Sequence, residues 1–308
     1  MKKFVVSLVA FFLVMGLAMT ASAGSYYEFS SYGGSGTEYD VACYGNTIYY
    51  GAGASVYSID VSVADPSKKN EPYYLSDGIT PNPNYQTRLF SNPQAITLNG
   101  HPTALNGGSV GEMYVDAANI YTTAGDKVYA FNKNTGVYQS TVVTGGGITG
   151  TYAGYAHFLS YGGGKWWTGN EDRQIWSSTG GVWTYEFIFN PTTGGSHGDG
   201  MEYVNGYVFV SDMTSNYIAQ WENVGGVWIE KEVFDYNEIF GGSSKYVEGM
   251  GFGALDHFWA GSGSVVYELG GGDIQQQVNP VPEPCTMILF GTGIAGVAGF
   301  LRKRSKKS

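Results

Sequence analysis

Ionisable side chains recur at one relative place along the chain. Asp199 and Glu248 each stand ten residues ahead of an aromatic strand residue, Phe209 and Phe258. Asp40 and Glu112 stand eight ahead of Ile48 and Ile120, and His157 stands nine ahead of Trp166. The two most similar stretches read Asp199-Gly200-Met201-Glu202 and Glu248-Gly249-Met250. Carboxylates brought together are costly to desolvate unless a cation or solvent compensates them. Hard oxygen ligands suit Ca2+, so a calcium-type site is the chemistry these acids predict. The competing reading is a set of solvated acids on the loops of an acidic protein.

What must position them is a repeated β unit. Five segments share one plan, a short apolar strand, a polar or Gly turn and a second apolar strand. With Ile48, Ile120, Trp166, Phe209 and Phe258 as anchors, the steps are 72, 46, 43 and 49 residues. A period in the forties built from short strands is the pattern of β-propeller blades. Asn-Thr-Gly and Gly-Gly turns then lead into Val137-Tyr138, Val182-Trp183 and Val227-Trp228, the order of a blade's third and fourth strands. The expected fold is all-β, a propeller of five to seven blades with six favoured. The long first step leaves Glu71–Leu98 as a degenerate blade or an insertion. A two-sheet sandwich is the competing fold. The best helical stretch is Glu230–Phe240. In a propeller the five ionisable positions fall near the start of each innermost strand, at one mouth of the central channel.

The openings of these repeats, one followed by Val208-Phe209-Val210-Ser211-Asp212, loosely resemble propellers of the gluconolactonase-like, NHL-like and phytase-like groups. That resemblance spans about two blades. It implies Asp199, Glu248 and Asp212 as calcium ligands, His197 as the nearest base, and a calcium-dependent hydrolase or lactonase as the alternative function.

Other motifs carry less. Trp166-Trp167 puts one ring on each face of a strand, so one of the two is a candidate glycan contact. Gly107-Gly108-Ser109-Val110-Gly111 matches G-x-S-x-G but lacks the strand before and helix after that a nucleophile elbow needs. Glycine runs such as Tyr161-Gly162-Gly163-Gly164 lack the Lys-Ser/Thr of a phosphate loop. Cys43 stands alone in an apolar stretch and reads as a buried thiol.

Both ends read as addresses. Lys2 and Lys3, an apolar run from Phe4, and the small residues Ala21 and Ala23 form a signal peptide over residues 1–23, cut by signal peptidase after Ala23. At the other end, residues 281–308 begin with Val281-Pro282-Glu283-Pro284. An uncharged apolar span follows from Cys285 to Leu301, then five cations beginning at Arg302. The span is just long enough for a single transmembrane helix, and the cations keep its end cytoplasmic. This order resembles the PEP-CTERM sorting signal, which implies exosortase as a partner and a Gram-negative, exopolysaccharide-producing host. It also implies transient residence in the inner membrane and delivery to the cell surface or extracellular matrix.

Between the two addresses, residues 24–280 hold nine basic and 25 acidic residues, a net charge near −16. Such a body repels nucleic acid and attracts cations. The expected function is a non-catalytic binding or structural propeller linked to exopolysaccharide and biofilm.

Overall fold

A computed structural model describes residues 27–33, 40–75, 80–105, 110–111, 113–190, 197–214, 217–236 and 247–270. The signal peptide, Glu112, Ser109 and the tail 281–308 lie outside the described residues. No helix among the described residues is long and apolar enough to cross a membrane, and the predicted span 285–301 is not among them.

Runs rich in Tyr, Trp, Val, Ile and Thr become strands, and the Gly and Asn between them become turns. The first blade is β2 (Val41–Tyr44), β3 (Thr47–Ala52), β4 (Ser55–Ser62) and β6 (Gln94–Thr97), with β5 (Leu89–Phe90) also on β4. The second is β7 (Met113–Val115), β8 (Asn119–Ala124), β9 (Lys127–Asn132) and β10 (Tyr138–Val143). The third is β11 (Ser160–Gly162), β12 (Lys165–Gly169), β13 (Gln174–Ser178) and β14 (Thr184–Ile188). The fourth is β15 (Gly200–Val204), β16 (Tyr207–Asp212), β17 (Tyr217–Val224) and β18 (Val227–Asp235). In the fifth, β19 (Met250–Phe252), β20 (Phe258–Ser262) and β21 (Val265–Gly270) take their outer strand, β1 (Tyr27–Gly33), from the N-terminal side of the body. Ser31 of β1 lies opposite Tyr267 of β21, so hydrogen bonds close the ring.

The ring has five blades, where the anchor spacing favours six. The long first step is an insertion at residues 63–93, between the third and fourth strands of the first blade. Among its described residues it contributes a 3-10 turn at Pro66–Lys68, the two-residue β5 and an isolated bridge between Tyr74 and Pro81. Glu230–Phe240 is also corrected: as far as Asp235 it is strand, paired with β17 as in Phe234 opposite Ile218. Cross-strand pairing outweighs a weak helical pattern there.

The innermost strands β2, β7, β11, β15 and β19 touch in a closed circle. A small ring demands close approach, and glycine supplies it at two seams. A Cβ on Gly200 would lie 2.6 Å from the Glu248 carbonyl oxygen, and one on Gly251 would lie 2.7 Å from Ala42 Cα.

Each blade is covered on both faces by its neighbours, which explains the continuous apolar runs. Trp166 packs with Tyr121 and Trp176 at the seam of the second and third blades. Trp167 packs with Phe187 and Trp221 at the seam of the third and fourth. They are 8% and 4% exposed. The alternation of a strand does put one ring on each face, but neither face is free, so neither Trp offers a sugar an open ring.

The closure of the ring is stapled by a buried polar cluster. Arg88 of the insertion donates from Nε to Glu268 Oε2 at 2.8 Å. Glu268 also accepts from Ser30 Oγ of β1 at 2.6 Å. His257 Nδ1 lies 2.6 Å from Glu268 Oε1, and Phe29 stacks on His257 with centroids 4.2 Å apart.

Candidate functional site at the channel mouth

All five innermost strands begin at the same mouth of the channel. Asp40 and Asp199 immediately precede β2 and β15, Glu248 comes two residues before β19, and His157 three before β11. Each blade is an antiparallel meander, so the turn after its second strand returns to the same mouth. That turn brings Glu171 from between β12 and β13, and Met213 from between β16 and β17. Together they line a cavity of about 290 Å3 that includes Asp40, His157, Glu171, His197, Asp199 and Glu248. Glu112 is not among the described residues; its neighbour Gly111 lines the cavity.

Glu171 ties two imidazoles together. Its Oε1 lies 3.5 Å from His157 Nδ1 and its Oε2 lies 3.3 Å from His197 Nε2. Burial opposes its ionisation, but the Tyr152 hydroxyl and both imidazoles outweigh that and hold the carboxyl below its ordinary range. His197 Nδ1 contacts Asp199 Oδ1 at 2.6 Å. Burial lowers the His197 pKa, yet the Asp199 and Glu171 carboxylates overcome it and leave the imidazole raised. Asp199 itself is raised, mainly by burial, although its Oδ2 accepts from the Met213 backbone N–H at 2.8 Å. His157 is lowered, mainly by burial.

Glu248 is the outlier. Burial, followed by the nearby Asp199 charge, pushes its carboxyl up to about 7. Its Oε2 is buried without a hydrogen-bond partner, and so is His157 Nε2. A buried polar atom without a partner is costly in a finished core and useful at a place that receives a ligand.

The expected ligands thus take different places. Asp40, Asp199 and Glu248 share the cavity. Asp212 does not belong to it: fully buried, it accepts from the backbone N–H groups of Thr214 at 2.8 Å and His197 at 3.2 Å. Its short side chain is consumed in shaping the turn, as an Asx residue commonly is. The donor set left over is also not the all-oxygen set expected of calcium, because two imidazoles stand among the carboxylates. Among the described residues, no three His, Cys, Asp or Glu side chains are placed to hold one metal ion.

Two residues escaped the sequence reading. Glu171 sits in a turn after an anchor, and its signal is the antiparallel meander, which sends every such turn back to the mouth. Glu202 lies in the Asp199-Gly200-Met201-Glu202 stretch, one step further into the channel. It accepts from Ser160 Oγ at 2.9 Å, and the backbone N–H groups of Tyr203 and Phe252 also bond it. Burial outweighs these bonds and pushes it up to about 8. Its neighbours Cys43 and Tyr114 are pushed up to about 12, mainly by burial, with the Glu202 charge adding to both. A thiol held that high is not a nucleophile at neutral pH.

Comparison with known proteins agrees with this architecture. Residues 280–304 match the PEP-CTERM protein-sorting motif. The fold is shared with a glutaminyl cyclase from Myxococcus xanthus, at 9% identity and a TM-score of 0.51, over 80% of this chain and 97% of that one. The WD40 β-propeller domain of Doa1 aligns at 9% identity and a TM-score of 0.44, over 80% of this chain and 97% of that one. A streptogramin B lyase aligns at 12% identity and a TM-score of 0.42, over 81% and 98%. At 9% identity the likeness to the cyclase is one of fold alone. No curated protein sequence matches the chain. The chain therefore joins a five-bladed propeller-like body to a PEP-CTERM motif, which implies exosortase as a processing partner and export to the surface or exterior of a bacterium.

Proposed function

From an exported five-bladed propeller with a PEP-CTERM motif as premise, we propose a non-catalytic binding module of the extracellular matrix. Its channel mouth takes a positively charged group. The observation that carries this reading is the mouth cavity, where four carboxylates converge and Glu248 keeps a buried oxygen without a partner. A cation entering there replaces the missing hydrogen bond and relieves the Asp199–Glu248 repulsion. Calcium is the inorganic candidate and an ammonium group of a matrix component the organic one. The route outward uses signal peptidase at Ala23, a transient hold in the inner membrane of a Gram-negative host, and release by exosortase at Pro282-Glu283-Pro284. An exopolysaccharide matrix is the destination, and biofilm the setting.

The test is a melting and calorimetric titration of the full chain with calcium chloride and, separately, with cadaverine as a bare diammonium probe. One of the two is expected to raise the melting temperature, with the shift absent in Glu248→Gln. Because the cation displaces the proton of Glu248, binding is tighter at about pH 8 than at about pH 6. No shift with either probe at ~10 mM, a concentration that would saturate even a millimolar site, refutes the reading.

A second reading rests on one observation, a carboxyl near pH 7 beside the His197–Asp199 pair in an open cavity. Those are properties of a general acid–base site. In that reading the protein is a hydrolase or lactonase with Glu248 as acid or base and calcium as a cofactor. Hydrolysis of a lactone panel that disappears in Glu248→Gln would favour it over the binding module.

A further inference from the structure

A second cavity lies on the outer edge of the closing blade, between the 63–93 insertion and β1. Its volume is about 460 Å3, within the usual range for small-molecule sites. Tyr73, Tyr74 and Tyr85 form its aromatic wall. Tyr73 meets Tyr74 edge-on at 4.7 Å and Tyr85 at 5.1 Å. The Tyr85 hydroxyl donates to the Phe29 carbonyl at 2.8 Å, which fixes the wall to β1. Tyr73 and Tyr74 are 43% and 45% exposed, unlike the tryptophans of the blade seams.

The polar part of the lining decides the ligand class. Among the described lining residues Arg88 carries the only formal charge, and its side chain is fully buried and paired with Glu268. Nε binds Glu268, Nη1 donates to the Gln86 carbonyl at 2.8 Å, and Nη2 donates to the Lys69 carbonyl at 2.7 Å. An anion in the cavity therefore meets no exposed, unpaired guanidinium. What remains are the hydroxyls of Ser30, Ser31 and Thr87 beside exposed aromatic rings. Ser30 spends its proton on Glu268 and keeps acceptor lone pairs. Rings for an apolar C–H face, with hydroxyls for a ligand's own hydroxyls, match an uncharged sugar.

We infer that this cleft binds a neutral saccharide segment, with Tyr73 and Tyr74 as its stacking platform. The site is separate from the channel mouth and does not depend on the reading given to it. In the protein's exported setting, the saccharide is a stretch of matrix polysaccharide.

The experiment titrates the full chain, kept in a detergent without a sugar headgroup, with cellohexaose and mannohexaose by calorimetry and tyrosine fluorescence. Binding of at least one with a dissociation constant of about 10 μM to 1 mM is expected. Tyr73→Ala and Tyr74→Ala each weaken it at least ~10-fold, the scale of one lost stacking contact. Tyr74→Phe keeps most of it. Melting temperatures of these variants stay at the wild-type value because the side chains are exposed, and Glu248→Gln binds the sugar as wild type does. The inference is overturned if neither hexasaccharide binds at ~5 mM, five times the weakest expected constant. It is equally overturned if the alanine variants bind unchanged, or if anionic oligosaccharides are preferred.

Discussion

His257 at the ring closure and His157 at the channel mouth each lie beside a glutamate, and the two pairs have opposite fates. His257 and Glu268 have fully buried side chains. Every oxygen of Glu268 is used, by Arg88, Ser30 and His257, and His257 Nε2 sits 3.0 Å from the Asn70 side-chain amide. Burial raises the Glu268 pKa, but His257 and Arg88 outweigh it and hold the carboxyl low. At the mouth, His157 and Glu171 are 24% and 33% exposed, and partners run out before polar atoms do. A saturated cluster fixes structure, whereas one with unsatisfied atoms is set to receive something.

Breaking the saturated cluster should give the largest effect. Glu268→Ala strands the Arg88 guanidinium in the core, and loss of one partner of a buried pair costs about 3–5 kcal/mol. The loss appears as a lower urea midpoint with unchanged slope. Because Ser30 and Phe29 of β1 belong to the same cluster, exchange of the β1 amides should accelerate together. If Glu268→Ala melts like wild type, the staple is not holding the ring.

The channel acid Glu202 comes next. Its folded pKa of about 8 stands above an ordinary value near 4.5. Between those two values the folded chain keeps a proton that the unfolded chain has lost. Stability from this group is therefore complete at acid pH, falls as pH rises through that window, and levels off above it. Glu202→Gln removes the slope and should stabilise the protein by about 1–3 kcal/mol at pH 9, the order of the ionisation cost once the partial exposure of Glu202 is allowed for. Parallel stability–pH curves for the two proteins would show that Glu202 ionises without cost.

This contrast also marks what could be read in advance. The anchors Ile48, Ile120, Trp166, Phe209 and Phe258 all fall in the second strands of their blades, because apolar runs and Gly turns are local signals. The blade number was obscured by residues 63–93, whose length alone cannot distinguish an insertion from a blade. Asp40, Asp199 and Glu248 share a cavity because their spacing to the anchors is a property of the repeat. Arg88, Glu268 and His257 were invisible, since sequence separations of 180 and 11 residues carry no periodic signal. Trp166 and Trp167 misled because strand alternation says which face a ring takes, and not what covers that face.

At the mouth itself stability should change little. Glu248→Gln and His157→Gln are each expected within about 1 kcal/mol of wild type, because both side chains are partly exposed and no fully buried ion pair is broken. Their effect belongs to the ligand titration. A destabilisation as large as that of Glu268→Ala would erase the distinction between the two clusters.

The smallest effect separates the causes acting on Glu248. Burial is the larger influence on its pKa and the Asp199 charge the smaller. Asp199→Asn removes only the smaller one. The Glu248 carboxyl, followed by carbon-13 NMR, should titrate near 7 in the wild type and lower in Asp199→Asn, while staying above the ordinary value of 4.5. A fall all the way to the ordinary value would make charge the main cause and Glu248 simply one of two crowded acids. A downward shift that stops short leaves a carboxyl held neutral by its desolvated place in the channel mouth. In the proposed cation binding, that carboxyl is the group that gives up its proton.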